Sequence, residues 1–202
     1  MGYGILILLG YLLGSSNMAF YIAKIKKVDF RGGGSGNLGA SNATLLLGWG
    51  AGVLTGIHDI GKAFLSVWLA RLLFPELDHA GAVAGVACVL GHIFPFYLKF
   101  KGGKGFASYL GMILALNWKF ALIIMALVVL VTVITDYIVA GTTLTILASP
   151  VYLGLTGGLM VAAILCIATA VIIYKHRMNY VNIYKGQEKG LRGAIRGDDR
   201  VK

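Results

Sequence analysis

"GILILLGYLLGSSNMAFYIAKIKKVDFR", Gly4 to Arg31, decides the architecture. Its apolar part, Gly4 to Ala23, is long enough to cross a hydrocarbon core of about 30 Å as one helix. No Lys or Arg precedes the run, whereas Lys24, Lys26, Lys27 and Arg31 follow it. A cleavable signal peptide carries its positive flank first, so these flanks predict a retained helix with its N-terminus outside. The rest of the chain has the same character. Of 202 residues, 58% are hydrophobic and 13% charged, against about 25% charged in a soluble domain. Mean hydropathy is +0.82. Such a chain cannot hide its apolar surface in water and reads as an all-α, polytopic membrane protein. The polar stretches are too short to fold alone, so one domain is expected over 1–202, with a charged tail from about residue 190.

Further spans are expected within Gly52 to Phe74, Ala80 to Leu98, Phe106 to Leu116, Trp118 to Thr135, Ile138 to Leu155 and Leu159 to Tyr174. Seven crossings put the C-terminus in the cytoplasm. Fifteen of the eighteen basic residues then fall inside, as the positive-inside rule requires. Their clustering between spans fits orientation and anionic headgroups rather than nucleic acid, despite a net charge of +10. Phe106 to Leu116 is too short for a full crossing, at about 1.5 Å per residue. A short helix at membrane depth is tolerated where it lines a protected cavity.

On this topology four polar segments converge on the cytoplasmic face: "VDFRGGGSGNLGASN" (28–42), "GHIFPFYLKFKGGKGFAS" (91–108), "AGTT" (140–143) and "HRMNYVNIYKGQEKG" (176–190). "GSGNLG" fits GxGxxG, but no strand or βαβ unit surrounds it, which excludes a dinucleotide fold. Leu98 stands where a Walker A loop needs Gly, so there is no P-loop. Gly10 and Gly14 are expected to let helices pack closely. The glycines of the polar segments, interleaved with Ser35, Asn37, Ser41 and Asn42, fit an anion cradle instead. They bring backbone N–H groups to a ligand, Gly105 opens a helix whose N-terminus is partly positive, and Lys104 adds a full charge. Thr142 and Thr143 are expected to open another helix. Lys99 and Lys101 read as orientation signals.

Other polar residues have plainer readings. His92 is expected to bond a carbonyl freed near Pro95, while His176, three residues before Asn179, is a ligand candidate. Asp59 and Lys62 share a helical face and should neutralise each other, with His58 pointing elsewhere. Asp136 is expected to cap the sixth span. Cys88 and Cys166 lie in apolar runs as buried free thiols, without metal or disulfide spacing.

"GSGNLGASN", "GHIFPFYLKFKGGKGFAS" and "HRMNYVNIYKGQE" resemble the three signature segments of the bacterial acyl-phosphate:glycerol-3-phosphate acyltransferase (PlsY) family. The resemblance runs from Tyr11 to Glu188. It implies a seven-helix enzyme of the bacterial inner membrane, active site facing the cytoplasm, working in phospholipid synthesis. The reaction would move an acyl chain from acyl phosphate to the 1-hydroxyl of glycerol 3-phosphate, without cofactor or metal. By the same resemblance Lys104, His176 and Thr142 engage glycerol phosphate, and Ser35, Asn37 and Asn179 belong to the active site. Gly34, Gly36, Gly102, Gly103 and Gly105 would shape the substrate cradle. The implied partners are the two small substrates and membrane lipid. Two departures stand out: Leu45 and Asn182 occupy positions where the family usually carries Arg, with Arg31 or Arg177 as candidate replacements. Acyl phosphate is already activated, so alignment and charge stabilisation suffice for its chemistry. A transporter of a phosphorylated small solute is the alternative from another class, but no internal repeat is visible and the glycine segments lie at one surface.

Overall fold

The structure, a computed structural model, describes residues 2–30, 32–33 and 36–196. Every regular element among them is a helix. Five stretches are long and apolar enough to cross a membrane: Gly2–Lys26, Ala80–Leu98, Trp118–Thr135, Ile138–Gly157 and Leu159–Tyr184. Phe106–Leu116 is a shorter apolar helix of 11 residues, as its length in the sequence requires. The chain divides into two compact units, one ending at Asn117 and the other beginning at Trp118.

The first unit holds α1 (Gly2–Ser15), α2 (Met18–Lys26), α3 (Ala40–Leu47), α4 (Trp49–Leu73), α5 (Ala80–Ile93) and α6 (Phe106–Leu116). The expected single first helix is broken at Ser16–Asn17. Asn17 is the reason: its Oδ1 accepts from Phe20 N and starts α2 afresh, as an N-cap does. The carbonyls released by the break receive donors from elsewhere. Tyr97 Oη donates to Ser15 O at 2.8 Å, and Lys62 Nζ donates to Ser16 O at 2.7 Å. Gly10 and Gly14 do set a close helix crossing. A β-carbon on Gly14 would overlap the Cys88 backbone, and one on Gly10 would crowd Ala84 O, so α1 lies directly on α5. Gly111 likewise brings α6 against the backbone of α4 at Ile60. Arg71, on the last turn of α4, donates from Nη1 to Ala115 O at 2.8 Å. This supplies a terminal carbonyl of the short helix with a cationic donor.

The second unit contains α7 (Trp118–Thr135), α8 (Ile138–Gly157), α9 (Leu159–Tyr184) and α10 (Leu191–Arg196). Phe120 and Tyr152 stack with ring centroids 4.1 Å apart, joining α7 to α8. Pro150 lies inside α8, where its missing N–H deprives Ile146 O of the usual i+4 donor. Thr169 on α9 replaces that donor, its Oγ1 lying 2.9 Å from Ile146 O. Cys88 is buried, but Cys166 is exposed on the protein surface. An apolar run in a membrane helix does not distinguish a lipid-facing side from a packed one, which is why the sequence expectation failed for Cys166.

Thr169→Val should cost about 1 kcal/mol, the net value of such an interhelical bond. In a Pro150→Ala background the backbone N–H is restored and the same change should cost little. Thermal unfolding of the four variants in detergent measures this difference.

Candidate active site

In the first unit α5 ends at Ile93, and the chain returns after a short 3-10 turn at Phe96–Leu98. Gly102 N then donates to Ile93 O at 3.0 Å and Gly103 N to His92 O at 3.1 Å. These two amides therefore close the C-terminus of α5 rather than face outward. What the two glycines contribute is proximity. A β-carbon on Gly102 would overlap the His92 carbonyl, and one on Gly103 would overlap the imidazole Nε2 of His92. Gly105 has φ +93° and caps α6 without a side-chain hydrogen bond, so the first-turn N–H groups of α6 receive no capping oxygen from residue 105. Lys104 is half-buried between these glycines. The helix expected to start beside Lys104 does start there, at Phe106.

Gly34, Ser35 and Arg31 of the first glycine segment lie outside the described residues. Gly36 has φ +63° and donates from N to Gly33 O at 3.1 Å, forming a tight turn. Asn37 is half-buried beside it. Asn17 Nδ2 donates to Leu38 O at 3.0 Å, tying this segment to the break in the first span. Leu38 packs in one buried cluster with Ala19, Ala23, Phe30, Ala43 and Leu98. Leu98 belongs to the second polar segment, so the first and second segments share a core.

Beneath them is a buried polar group that the sequence reading treated as a simple pair. Asp59 Oδ1 lies 2.8 Å from Lys62 Nζ, as expected for i,i+3 neighbours. His92, however, does not serve a carbonyl near Pro95. Its Nδ1 is 2.9 Å from Lys62 Nζ and 3.2 Å from Asp59 Oδ1, while Tyr11 Oη donates to Phe94 O. His58 does not point away either: its Nε2 lies 3.0 Å from Ser16 Oγ and its Nδ1 3.6 Å from Asp59. The correction has one cause. Asp59, Lys62 and His92 are all buried in an apolar setting, where each charge or ring nitrogen must find a polar neighbour. Among the described residues no group of three His, Cys, Asp or Glu side chains could hold a metal ion.

In the second unit α9 continues past the apolar run to Tyr184 and carries His176 and Asn179. His176 is buried, with Nδ1 2.9 Å from Ile172 O. A carbonyl only accepts, so Nδ1 carries the proton and Nε2 holds the lone pair of the neutral ring. Asn179 Nδ2 donates to Glu188 Oε1, which fixes the amide. Gln187 N and Glu188 N both donate to Asn182 O, folding the chain back so that the carboxylate reaches Asn179. Glu188 was missed as a positioning residue. The available signal was an acidic side chain in a strongly basic tail, nine residues after an Asn.

Two sequence expectations are corrected here. Thr142 does not open a helix: α8 begins at Ile138, and Thr142 Oγ1 donates to Ile138 O from the second turn. Its neighbour Thr143 instead meets Tyr180 Oη at 2.9 Å, linking α8 to α9 one residue from Asn179. Nor does Asp136 cap α8, since the N-cap is Tyr137 without a side-chain bond. Asp136 Oδ1 accepts from Arg192 N and its carbonyl from Leu191 N. It therefore anchors the start of the tail.

Glu188→Leu should destabilise the protein by about 1–2 kcal/mol, because Asn179 loses a charged acceptor. Glu188→Gln, which keeps an acceptor oxygen, should cost less than half of that in the same thermal assay.

Comparison with known proteins agrees with the arrangement of these segments. The sequence profile described as glycerol-3-phosphate acyltransferase matches residues 4–186. A glycerol-3-phosphate acyltransferase of Clostridioides difficile (strain 630) is 37% identical over 195 residues, covering 93% of this chain and 94% of that protein. One from Pseudomonas putida (strain KT2440) is 38% identical over 189 residues, covering 92% and 97%. The crystal structure of PlsY, an integral membrane glycerol 3-phosphate acyltransferase, in its glycerol 3-phosphate form superposes with a TM-score of 0.90 at 31% identity. It covers 98% of this chain and 100% of that one. The lysophosphatidic acid form gives 0.82 at 32% identity, covering 94% and 95%. With nearly its whole length matched in sequence and in fold, the chain belongs to the glycerol-3-phosphate acyltransferase family.

Proposed function

We propose that this chain transfers an acyl group from acyl phosphate to the 1-hydroxyl of glycerol 3-phosphate, releasing phosphate and 1-acylglycerol 3-phosphate. The observation that carries the reading is the GGKG loop. Two glycines are fixed against α5, and a lysine stands beside the start of α6, where Gly105 supplies no side-chain cap, in a chain of this family. Lys104 and the first-turn amides of α6 hold a phosphate, combining a point charge with helix-terminal donors. His176 Nε2 accepts a hydrogen bond from a substrate hydroxyl when the ring is neutral. Asn179, its amide held by Glu188 through Nδ2, orients the same substrate, and Ser35 and Asn37 align the acyl phosphate. Thr142, whose hydroxyl bonds its own helix, lines the glycerol phosphate site. Gly34, Gly36, Gly102, Gly103 and Gly105 shape the cradle, Gly102 and Gly103 by close approach to α5.

The chemical step needs no enzyme nucleophile. The glycerol hydroxyl oxygen attacks the acyl carbon, the bond from that carbon to the phosphate oxygen breaks, and the hydroxyl proton passes to a phosphate oxygen. Catalysis is then positioning together with stabilisation of developing charge. The protein crosses the bacterial inner membrane seven times, with its N-terminus outside and its glycine segments in the cytoplasm. Family membership favours transfer over transport of a phosphorylated solute.

The test is purified protein in lipid, given palmitoyl phosphate and glycerol 3-phosphate, with phosphate release as the readout and palmitoyl-CoA as the control donor. Release with palmitoyl phosphate alone among the donors is the expected result. Activity with the CoA ester alone would overturn the donor assignment. Lys104→Ala should lower kcat/KM by about a hundredfold, the scale of losing a charge-assisted phosphate contact, while leaving insertion and thermal stability near wild type. Leu45 is 59% exposed, so an arginine fits there without repacking. Leu45→Arg should therefore lower KM for glycerol 3-phosphate by up to about tenfold, with little change for palmitoyl phosphate.

A further inference from the structure

The buried Asp59–Lys62–His92 cluster contacts the GGKG loop through His92 and reaches the first glycine segment by way of the Ser16–Asn17 break. Lys62 Nζ donates to Ser16 O at 2.7 Å. Ser16 adjoins Asn17, whose Nδ2 holds Leu38 O of the first segment at 3.0 Å. Lys62 Nζ also lies 2.9 Å from His92 Nδ1. Nδ1 also lies 3.2 Å from Asp59 Oδ1, so it is held either as acceptor from Lys62 or as donor to Asp59, with Nε2 on the far edge of the ring. That edge of the ring faces Gly103, where a β-carbon would overlap it, while the His92 carbonyl takes Gly103 N. Asp59, 2.8 Å from Nζ, supplies the countercharge. Asp59 is 1%, His92 3% and Lys62 7% exposed, so the group is shielded from solvent and cannot itself be a surface phosphate ligand. A buried ion pair is weak evidence for stability, because apolar replacements often do as well. Its connections point to another role.

We propose that Asp59, Lys62 and His92 are positioning residues that set the first glycine segment and the GGKG loop in register with each other. Lys62 is the shared contact: it donates to Ser16 O at the Ser16–Asn17 break and, together with Asp59, fixes the ring that floors Gly103. The cluster acts on substrate only through the loops, so the kinetic part of the claim rests on the proposed glycerol phosphate site. The structural part does not.

The test uses the full chain in lipid. The double variant D59N/K62M removes the pair without leaving a lone buried charge. His92→Asn keeps an acceptor near the Nδ1 position but removes the ring edge against Gly103. Amide hydrogen exchange is read over 36–43 and 98–105, together with KM and kcat. In D59N/K62M both segments should exchange at least about tenfold faster, and KM for glycerol 3-phosphate should rise about tenfold while kcat changes less. In His92→Asn only 98–105 should loosen. Should D59N/K62M fail to fold, the segment-selective effect of His92→Asn still decides. Unchanged exchange in 98–105 in His92→Asn overturns the proposal, as does loosening spread evenly over the whole first unit in either variant. If wild type itself shows no turnover with these substrates, the functional reading fails, and the exchange pattern continues to judge the cluster.

Discussion

A backbone carbonyl released inside a hydrocarbon layer has no water to accept from, and this constraint organises the molecule. At three places among the described residues, released carbonyls are met by a donor from a neighbouring element. The broken first span is met by Tyr97 and Lys62, the end of the short α6 by Arg71, and the proline site in α8 by Thr169. Three of these donors are on other helices, and Tyr97 lies in the turn after α5. Each irregularity therefore fixes how two elements pack, and the polar residues within apolar runs read as the complements of the breaks. Lys62 shows how far this goes. A charge there needs both a partner and acceptors, and it finds Asp59, Ser16 O and His92 within 3 Å.

The irregular places are also where the candidate site is built. The break at Ser16–Asn17 releases Asn17 to grip Leu38 of the first glycine segment. The short α6 allows the GGKG loop to sit at its N-terminus, with its amides doubled back on α5. A regular helix would satisfy every internal carbonyl by itself and would offer no loop amides and no buried lysine. Irregular backbone thus carries a demand for donors, and Lys62 and Ser66 of the buried polar stripe of α4 meet part of it. Thr55, Asp59, Lys62 and Ser66 recur at helical spacing, and all four are buried.

Much of this was legible in the sequence, and the failures share a pattern. The short helix Phe106–Leu116, the close packing at Gly10 and Gly14 and the Asp59–Lys62 pair follow from length, residue size and spacing alone. Asn17 as a helix start, Glu188 as the partner of Asn179 and Asp136 as the anchor of the tail do not. Each depends on a contact made after the chain turns back, or on a cap that competes with an apolar run otherwise fit to continue. Hydropathy weights such a residue by its neighbours and passes over it. Exposure fails for a related reason. In lipid an outward face is as apolar as a packed one, so Cys166 and Cys88 look alike in sequence although only Cys88 is buried.

The missing arginines bear on how the site would hold a phosphate. Arg177 is not a spare cation: its Nη1 donates to Tyr174 O at 2.9 Å and its guanidinium stacks over the Tyr174 ring at 4.2 Å. Asn182, at the other departed position, uses its carbonyl to turn the chain toward Glu188. Its place in the third segment is thus already structural, in a way that depends on the backbone rather than on side-chain charge. Leu45 is exposed, so no packing need excludes a cation there. A lysine and helix amides hold phosphate less directionally than a bidentate guanidinium clamp. With fewer fixed contacts, discrimination shifts to the shape of the loops. On the proposed function, the position of Gly103, set by contact with His92, then carries more of that discrimination.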